Sequence, residues 1–337
     1  LVSALAALLI SPLGIWLARK LGLIDYPKTE THKQHRKPTP MAGGLILAIC
    51  MPALLLIFQI DNQELWGLMQ GAAIILIFGL LDDRFSLNAT LKLGGQFLGS
   101  FVLVSNGITV HFLDSFQVFA GEGIINPLQI LITILWMMGI TNAFNLTDSM
   151  DGLTAGLSVI SASSFAVFSL AAGQIHLAQI CTLLFGLAIS LYALNMTPAL
   201  SFLGDSGAQV LGFLLAGIAI LYTPYQLPQS TTWFAPILLL AMPIFDTCLV
   251  IFSRIRNKTP IFKADLGHTY HRLVLLGLAP AKAVFLIQIT AFLLCISGFI
   301  LTSFSALLAN VTFLFLVILG WIAIYILETC TTIKQKN

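Results

Sequence analysis

Asn142-Ala143-Phe144-Asn145-Leu146-Thr147-Asp148-Ser149-Met150-Asp151-Gly152-Leu153 joins two apolar runs, 124–144 and 152–173, each long enough to cross a bilayer. Charged side chains at a membrane boundary are costly and are usually retained for function. Asn145, Asp148 and Asp151 recur every third residue, so on a helix or in a tight turn they share a face. No Lys or Arg lies in this stretch or in the runs beside it. A metal, a ligand donor or water must then neutralise the two acids.

The rest of the chain has the same texture. Of its 337 residues, 58% are hydrophobic and 9% charged, which excludes an ordinary soluble domain. The apolar residues fall in long runs instead of stripes, as in a bundle of membrane-spanning helices. The spans are expected at about 1–18, 41–60, 65–81, 93–112, 124–144, 152–173, 177–195, 207–225, 233–253, 283–303 and 306–327. The expected fold is therefore an all-α polytopic membrane protein of about 11 transmembrane helices, a single integral-membrane domain over 1–337. The five Cys are scattered, with neither CxxC spacing nor a disulfide framework, and no internal repeat is visible.

Charge placement orients the bundle. If successive loops alternate sides, one side receives 19–40, 82–92, 145–151, 195–206, 254–282 and the tail, and all sixteen Lys and Arg lie in those segments. The positive-inside rule places that side in the cytoplasm, with the N-terminus outside and the C-terminus cytoplasmic. Asp82, Asp83, Asn145, Asp148, Asp151, Asn195, Phe202, Asp205, His268, His271 and Arg272 all fall on that side or at span ends facing it. They are expected to converge on one membrane-surface cleft built from cytoplasmic loops.

Each stretch has a chemical reading and a plainer one. Asp82-Asp83 is an adjacent acid pair at a span end; it would repel itself unless a divalent cation or a base lies between, yet it also reads as a solvated helix end partnered by Arg84 and Lys92. Asp205, between Gly204 and Ser206-Gly207, is either a helix N-cap or a metal ligand, with glycines that let a phosphate approach the backbone. His268 and His271-Arg272 suit a phosphate clamp, or a basic loop held to anionic lipid heads. The basic cluster 32–37 needs no more than lipid attraction, and Asp246, about two turns before Arg254, reads as structural. Carboxylates for Mg²⁺, basic groups for phosphate and a cytosol-facing cleft point to phosphoryl-group chemistry on a lipid.

These motifs resemble those of the polyprenyl-phosphate N-acetylhexosamine-1-phosphate transferases, glycosyltransferase family 4. The resemblance spans nearly the whole chain: Asp25-Tyr26-Pro27, Pro40-Met41-Ala42-Gly43-Gly44, Gly79-Leu80-Leu81-Asp82-Asp83-Arg84, Asn142–Leu153, Phe202-Leu203-Gly204-Asp205-Ser206-Gly207 and His268-Thr269-Tyr270-His271-Arg272-Leu273. It implies transfer of N-acetylhexosamine-1-phosphate, most simply from UDP-N-acetylglucosamine, to undecaprenyl phosphate. The products would be the lipid diphosphate sugar and UMP, at a first membrane step of cell-surface polysaccharide synthesis. It further implies Mg²⁺, with Mn²⁺ as a substitute, bound by Asp205 and Asn145. Asp82 and Asp83 would be the catalytic acids, one of them deprotonating the lipid phosphate. Asp148, Asp151, Asn195, Phe202 (stacked on uracil), His268, His271 and Arg272 would bind substrate. The implied setting is the bacterial cytoplasmic membrane, multi-pass, with a bilayer and no nucleic acid as partner and a homodimer as the assembly.

Two departures stand out. The basic motif commonly reads His-x-His-His-Arg, and Tyr270 replaces its middle His; Ser149 stands where Gly is usual. The histidine run of the muramoyl-pentapeptide branch is absent, which favours the simpler donor over a phospho-MurNAc-pentapeptide or another hexosamine. A lipid or ion transporter would place its acids near the bilayer midplane, where only Asp246 fits.

Overall fold

The computed structural model describes residues 1–27, 37–60, 62–111, 122–196, 198–224, 229–260 and 267–336. The 32–36 part of the basic cluster lies outside these residues, as does most of the 113–123 segment. The regular structure of the described residues is helical apart from one two-residue ladder and the isolated bridge between Met41 and Phe202. Two compact units divide it, Leu1–Tyr225 and Gln226–Asn337.

The first unit contains α1 (Val2–Leu21), β1 (Ile24–Asp25), β2 (Thr39–Pro40), α2 (Gly43–Ile57), α3 (Gln63–Phe85), α4 (Ala89–Ser105), α5 (Glu122–Thr147), α6 (Leu153–Ala171), α7 (Ile175–Asn195) and α8 (Gly204–Leu221). The strands pair antiparallel, Ile24 with Pro40 and Asp25 with Thr39. At the centre is α8, whose residues Ser206–Ile220 are all buried, and α2, α3, α5 and α6 pack round it. Small residues allow these backbones to meet, as is usual where helices associate in lipid. A Cβ on Gly79 of α3 would lie 2.5 Å from Ser206 Cα, and one on Gly212 of α8 would lie 2.8 Å from Phe144 Cβ. That contact seats the end of α5 against α8.

The second unit contains α9 (Gln229–Thr232), α10 (Ala235–Leu239), α11 (Ala241–Arg256), α12 (Thr269–Leu275), α13 (Pro280–Leu301) and α14 (Ala306–Lys336). Phe234, Leu238, Leu301 and Ala309 form its apolar centre.

Helices lie in each of the eleven expected stretches, but eleven crossings do not follow from them. Among the described residues, eight helices are long and apolar enough to cross a membrane, or nine if a bent pair counts as one span. The stretches near 41–60 and 93–112 hold the shorter α2 and α4. Left-handed Gln59, at φ 52°, marks the turn just beyond the C-terminal end of α2. The bent pair replaces the straight span expected at 233–253, with a bend of 68° at Leu240. Pro243 has no N–H to give the carbonyl of residue 239, so a continuous helix would lack that bond.

Candidate active site

Asp83 and Ser206 start the construction. The Asp83 carboxylate accepts hydrogen bonds from the backbone N–H of Asp205 (2.7 Å) and of Ser206 (3.2 Å), and from Ser206 Oγ (2.6 Å). An acid from α3 thereby caps the N-terminus of α8, satisfying donors that a helix start leaves open and matching its positive end. Gly204, at φ 70°, makes the turn in front of the cap, and a Cβ there would meet Asp83 Oδ2 at 2.7 Å. The loop before it is bound to the other glycine-rich motif. Phe202 N donates to Pro40 O (2.9 Å), and Ala42 N and Gly43 N point at Phe202 O. Ser201 Oγ donates to Pro40 O at 3.0 Å. Two motifs about 160 residues apart are thus one structure.

Asp82 faces the other way. Its Oδ1 accepts from Leu87 N (2.8 Å), folding the chain back at Ser86, a left-handed residue with φ 51°. That turn and the Asn88 side-chain cap start α4 in the reverse direction and bring Lys92 back. The Lys92 ammonium pairs with Asp82 Oδ2 and with Asp205 Oδ2, the latter at 2.8 Å. The sequence offered Lys92 only as a solvated partner of the acid pair; its role as a bridge to Asp205 depends on the Ser86 turn.

Asn145 lies in the last turn of α5, which stops at Thr147, with its side chain beside Asp205. Its Oδ1 is buried and accepts no hydrogen bond among the described residues. Asp148 occupies the following turn, where burial pushes its carboxyl up to about 8, helped by the negative charges of Asp205, Asp83 and Asp151. Gly152, at φ 75°, closes the turn, and its N–H donates to Asn195 Oδ1 at 2.8 Å. Asn195, expected as a substrate ligand, is buried and holds this turn in shape.

Three of the four expected stretches therefore meet in the first unit: Asp82-Asp83, Asn145–Asp151 and Asp205. Phe202 adjoins them, half-buried. Asp205 keeps 37% of its side chain exposed and is within reach of solvent and substrate. These groups fit Mg²⁺. The donors are oxygen only, the Asn145 carbonyl is an orphaned acceptor beside a carboxylate, and among the described residues no cage of three or more His, Cys, Asp or Glu is ready-made. Mg²⁺ usually binds through one or two carboxylates plus substrate phosphates and water, and needs no such cage.

The fourth stretch belongs to the second unit. Asp246, four per cent exposed, accepts from Thr269 N (2.6 Å) and lies 2.8 Å from His268 Nδ1. Asp246, about two turns before Arg254 in the chain, is thus bonded to His268 and Thr269. His271 is half-buried, its ring centroid 5.0 Å from that of Tyr270 and 6.5 Å from that of His268. Tyr270, in place of the usual His, is buried at 3% exposure. Arg272 is buried as well, with its guanidinium turned into the protein.

The model of the glycosyl transferase family 4 matches residues 65–223, the segment carrying all three acidic motifs. A Bacillus subtilis (strain 168) protein named "Probable undecaprenyl-phosphate N-acetylglucosaminyl 1-phosphate transferase" is 35% identical over 307 residues, 90% of this chain and 84% of that protein. The chain belongs to glycosyl transferase family 4. Other relatives are the "Decaprenyl-phosphate N-acetylglucosaminephosphotransferase" of Mycobacterium leprae (strain TN), 31% identical over 81% of this chain and 75% of that protein, and the "Undecaprenyl-phosphate alpha-N-acetylglucosaminyl 1-phosphate transferase" of Escherichia coli (strain K12), 26% identical over 84% and 77%. This family 4 member is a multi-pass membrane transferase.

Proposed function

We propose that the chain transfers N-acetylglucosamine-1-phosphate from UDP-N-acetylglucosamine to undecaprenyl phosphate in a bacterial cytoplasmic membrane, with its site facing the cytosol. An oxygen of the lipid phosphate bonds to the sugar-bearing phosphorus of the donor. The bond from that phosphorus to the bridging oxygen breaks, and UMP leaves with that oxygen. The observation that carries this reading is the Asp82–Lys92–Asp205 bridge beside the orphaned Asn145 carbonyl.

Asp205 and Asn145 would hold Mg²⁺, which when bound supplies neutralisation of the charge on the diphosphate. Lys92, already poised between two acids, would meet the phosphate of the incoming lipid. Asp82, with one oxygen toward Lys92, is the better placed of the acid pair to take a proton from that phosphate, since Asp83 spends both oxygens on α8. Asp148 and Asp151 would orient the nucleotide and Phe202 its base. His268 and His271 would attend the donor phosphates. A homodimer is the proposed assembly.

The test follows UMP release by purified protein given undecaprenyl phosphate, Mg²⁺ and a panel of UDP-sugars. Release with UDP-N-acetylglucosamine that stops on chelation supports the reading. Release only with the muramoyl-pentapeptide donor moves the chain to another branch of the family, and no release from folded protein with any donor defeats it.

A further inference from the structure

Arg272 is the residue of the basic motif whose fork suits a phosphate, yet each of its three nitrogens is already engaged. Nε donates to Gly267 O (2.6 Å), Nη1 to Thr331 Oγ1 (2.6 Å) and Nη2 to Ser253 Oγ (2.8 Å), while Nη1 also pairs with Glu328 Oε2 at 2.7 Å. Arg272 is 7% exposed and Glu328 1%. The other Glu328 oxygen accepts from Asn257 Nδ2 at 3.1 Å. Bidentate phosphate binding needs two parallel N–H groups on one open edge of the guanidinium. Here the terminal nitrogens are bonded to α11 and α14, and Nε bonds back to Gly267, just before the motif. The opposite end of the same segment is fixed by Asp246 through His268 and Thr269.

We propose that Arg272 is a positioning residue, anchored by Glu328 and Thr331 of the last helix, and that it fixes the turn carrying His268 and His271 instead of binding substrate phosphate. The last turns of α14, outside every motif of the sequence, then belong to the construction of the site. The link to catalysis rests on the donor-site reading of His268 and His271; the anchor itself does not.

The experiment uses full-length protein in detergent and two readouts, amide hydrogen exchange and steady-state UMP release. Arg272→Gln and Glu328→Gln are each expected to speed exchange of the 268–276 amides about tenfold, with the amides of α8 unchanged. Both should cut kcat by a similar factor, about tenfold, with KM for the UDP-sugar held within about threefold. The double variant should fall within about twofold of the worse single one, because both break one anchor. Arg272→Lys, which keeps the ion pair, should recover part of the loss. Normal exchange and turnover in Glu328→Gln, together with a KM raised about tenfold in Arg272→Gln, would overturn the proposal and make Arg272 a substrate ligand. Should these variants fold poorly, Thr331→Val and Ser253→Ala each remove one bond. Faster 268–276 exchange in both supports the anchor, and wild-type exchange in both removes it. If the wild-type protein releases no UMP, the transferase reading fails while exchange still decides the anchor.

Discussion

Asp83 builds the helix that presents Asp205: its Oδ1 accepts the Asp205 backbone N–H at 2.7 Å, so one acid fixes the direction in which the other projects. The two members of the Asp82-Asp83 pair therefore differ in kind. Replacing Asp83 by Ala removes three acceptor contacts at a helix start, and caps and charge-assisted bonds of this type are each worth about 1–2 kcal/mol. Asp83→Ala should lose thermal stability in detergent along with turnover. Asp82→Asn should lose turnover, at least about a hundredfold, with a melting temperature close to wild type. Equal melting losses in the two variants would contradict this division.

Lys92 bridges two carboxylates with a single charge, and a divalent cation held at Asp205 would compete with it. Lys92→Gln should leave an uncompensated acid pair that attracts cations more strongly. The Mg²⁺ concentration that gives half of the thermal shift, measured without substrates, is expected to fall about tenfold. Turnover should fall also, because the phosphate loses its ammonium partner. An unchanged Mg²⁺ midpoint would show that Lys92 and the cation occupy separate places.

Asp148 predicts a pH dependence of definite sign. Its carboxyl stands at about 8 against an ordinary value of 3.8, first through burial and then through the charge of Asp205. Between those values the folded chain keeps a proton that the unfolded chain has released. Stability from this group is thus fully present below about pH 4 and is lost as pH rises toward 8, by at most about 1.4 kcal/mol per pH unit. In chelator, the melting temperature should decline from pH 5.5 to 8, and Asp148→Asn should flatten the decline. Added Mg²⁺, which draws down the field of the neighbouring acids, should weaken it too. The same slope in Asp148→Asn would assign the proton elsewhere.

What could be read in the sequence was what depends on spacing. Asn145, Asp148 and Asp151 recur at three, and they run from the last turn of α5 into the turn that Gly152 closes. Composition likewise revealed the helical bundle. Hidden were the relationships set by side-chain direction and by single φ values. Ser86 in the left-handed region sends α4 back so that Lys92 meets Asp205, and nothing in a Ser announces this. His268 lies 22 residues from Asp246, and several basic residues compete for that acid in the linear chain. Arg272 looks like a clamp in sequence because its type suits phosphate; only the buried Glu328, 56 positions on by number, turns it inward.

Asp246 gives the last prediction, since Asn and Ala test different bonds. Its Oδ1 accepts from Thr269 N and its Oδ2 faces His268 Nδ1, both with little exposure. Asn keeps one oxygen for Thr269 N and presents an amide to the imidazole, so the turn survives while the negative charge on His268 is lost. Ala removes both, leaving a buried N–H and a buried imidazole without that partner, at a cost of about 3 kcal/mol or more. The expected order is a small melting loss for Asp246→Asn and a large one for Asp246→Ala. In Asp246→Asn kcat should fall less than in Asp246→Ala, because the turn that carries His268 keeps its Thr269 bond. Equal kcat losses in the two variants would show that the charge of Asp246, and not only its hold on the turn, matters to the reaction.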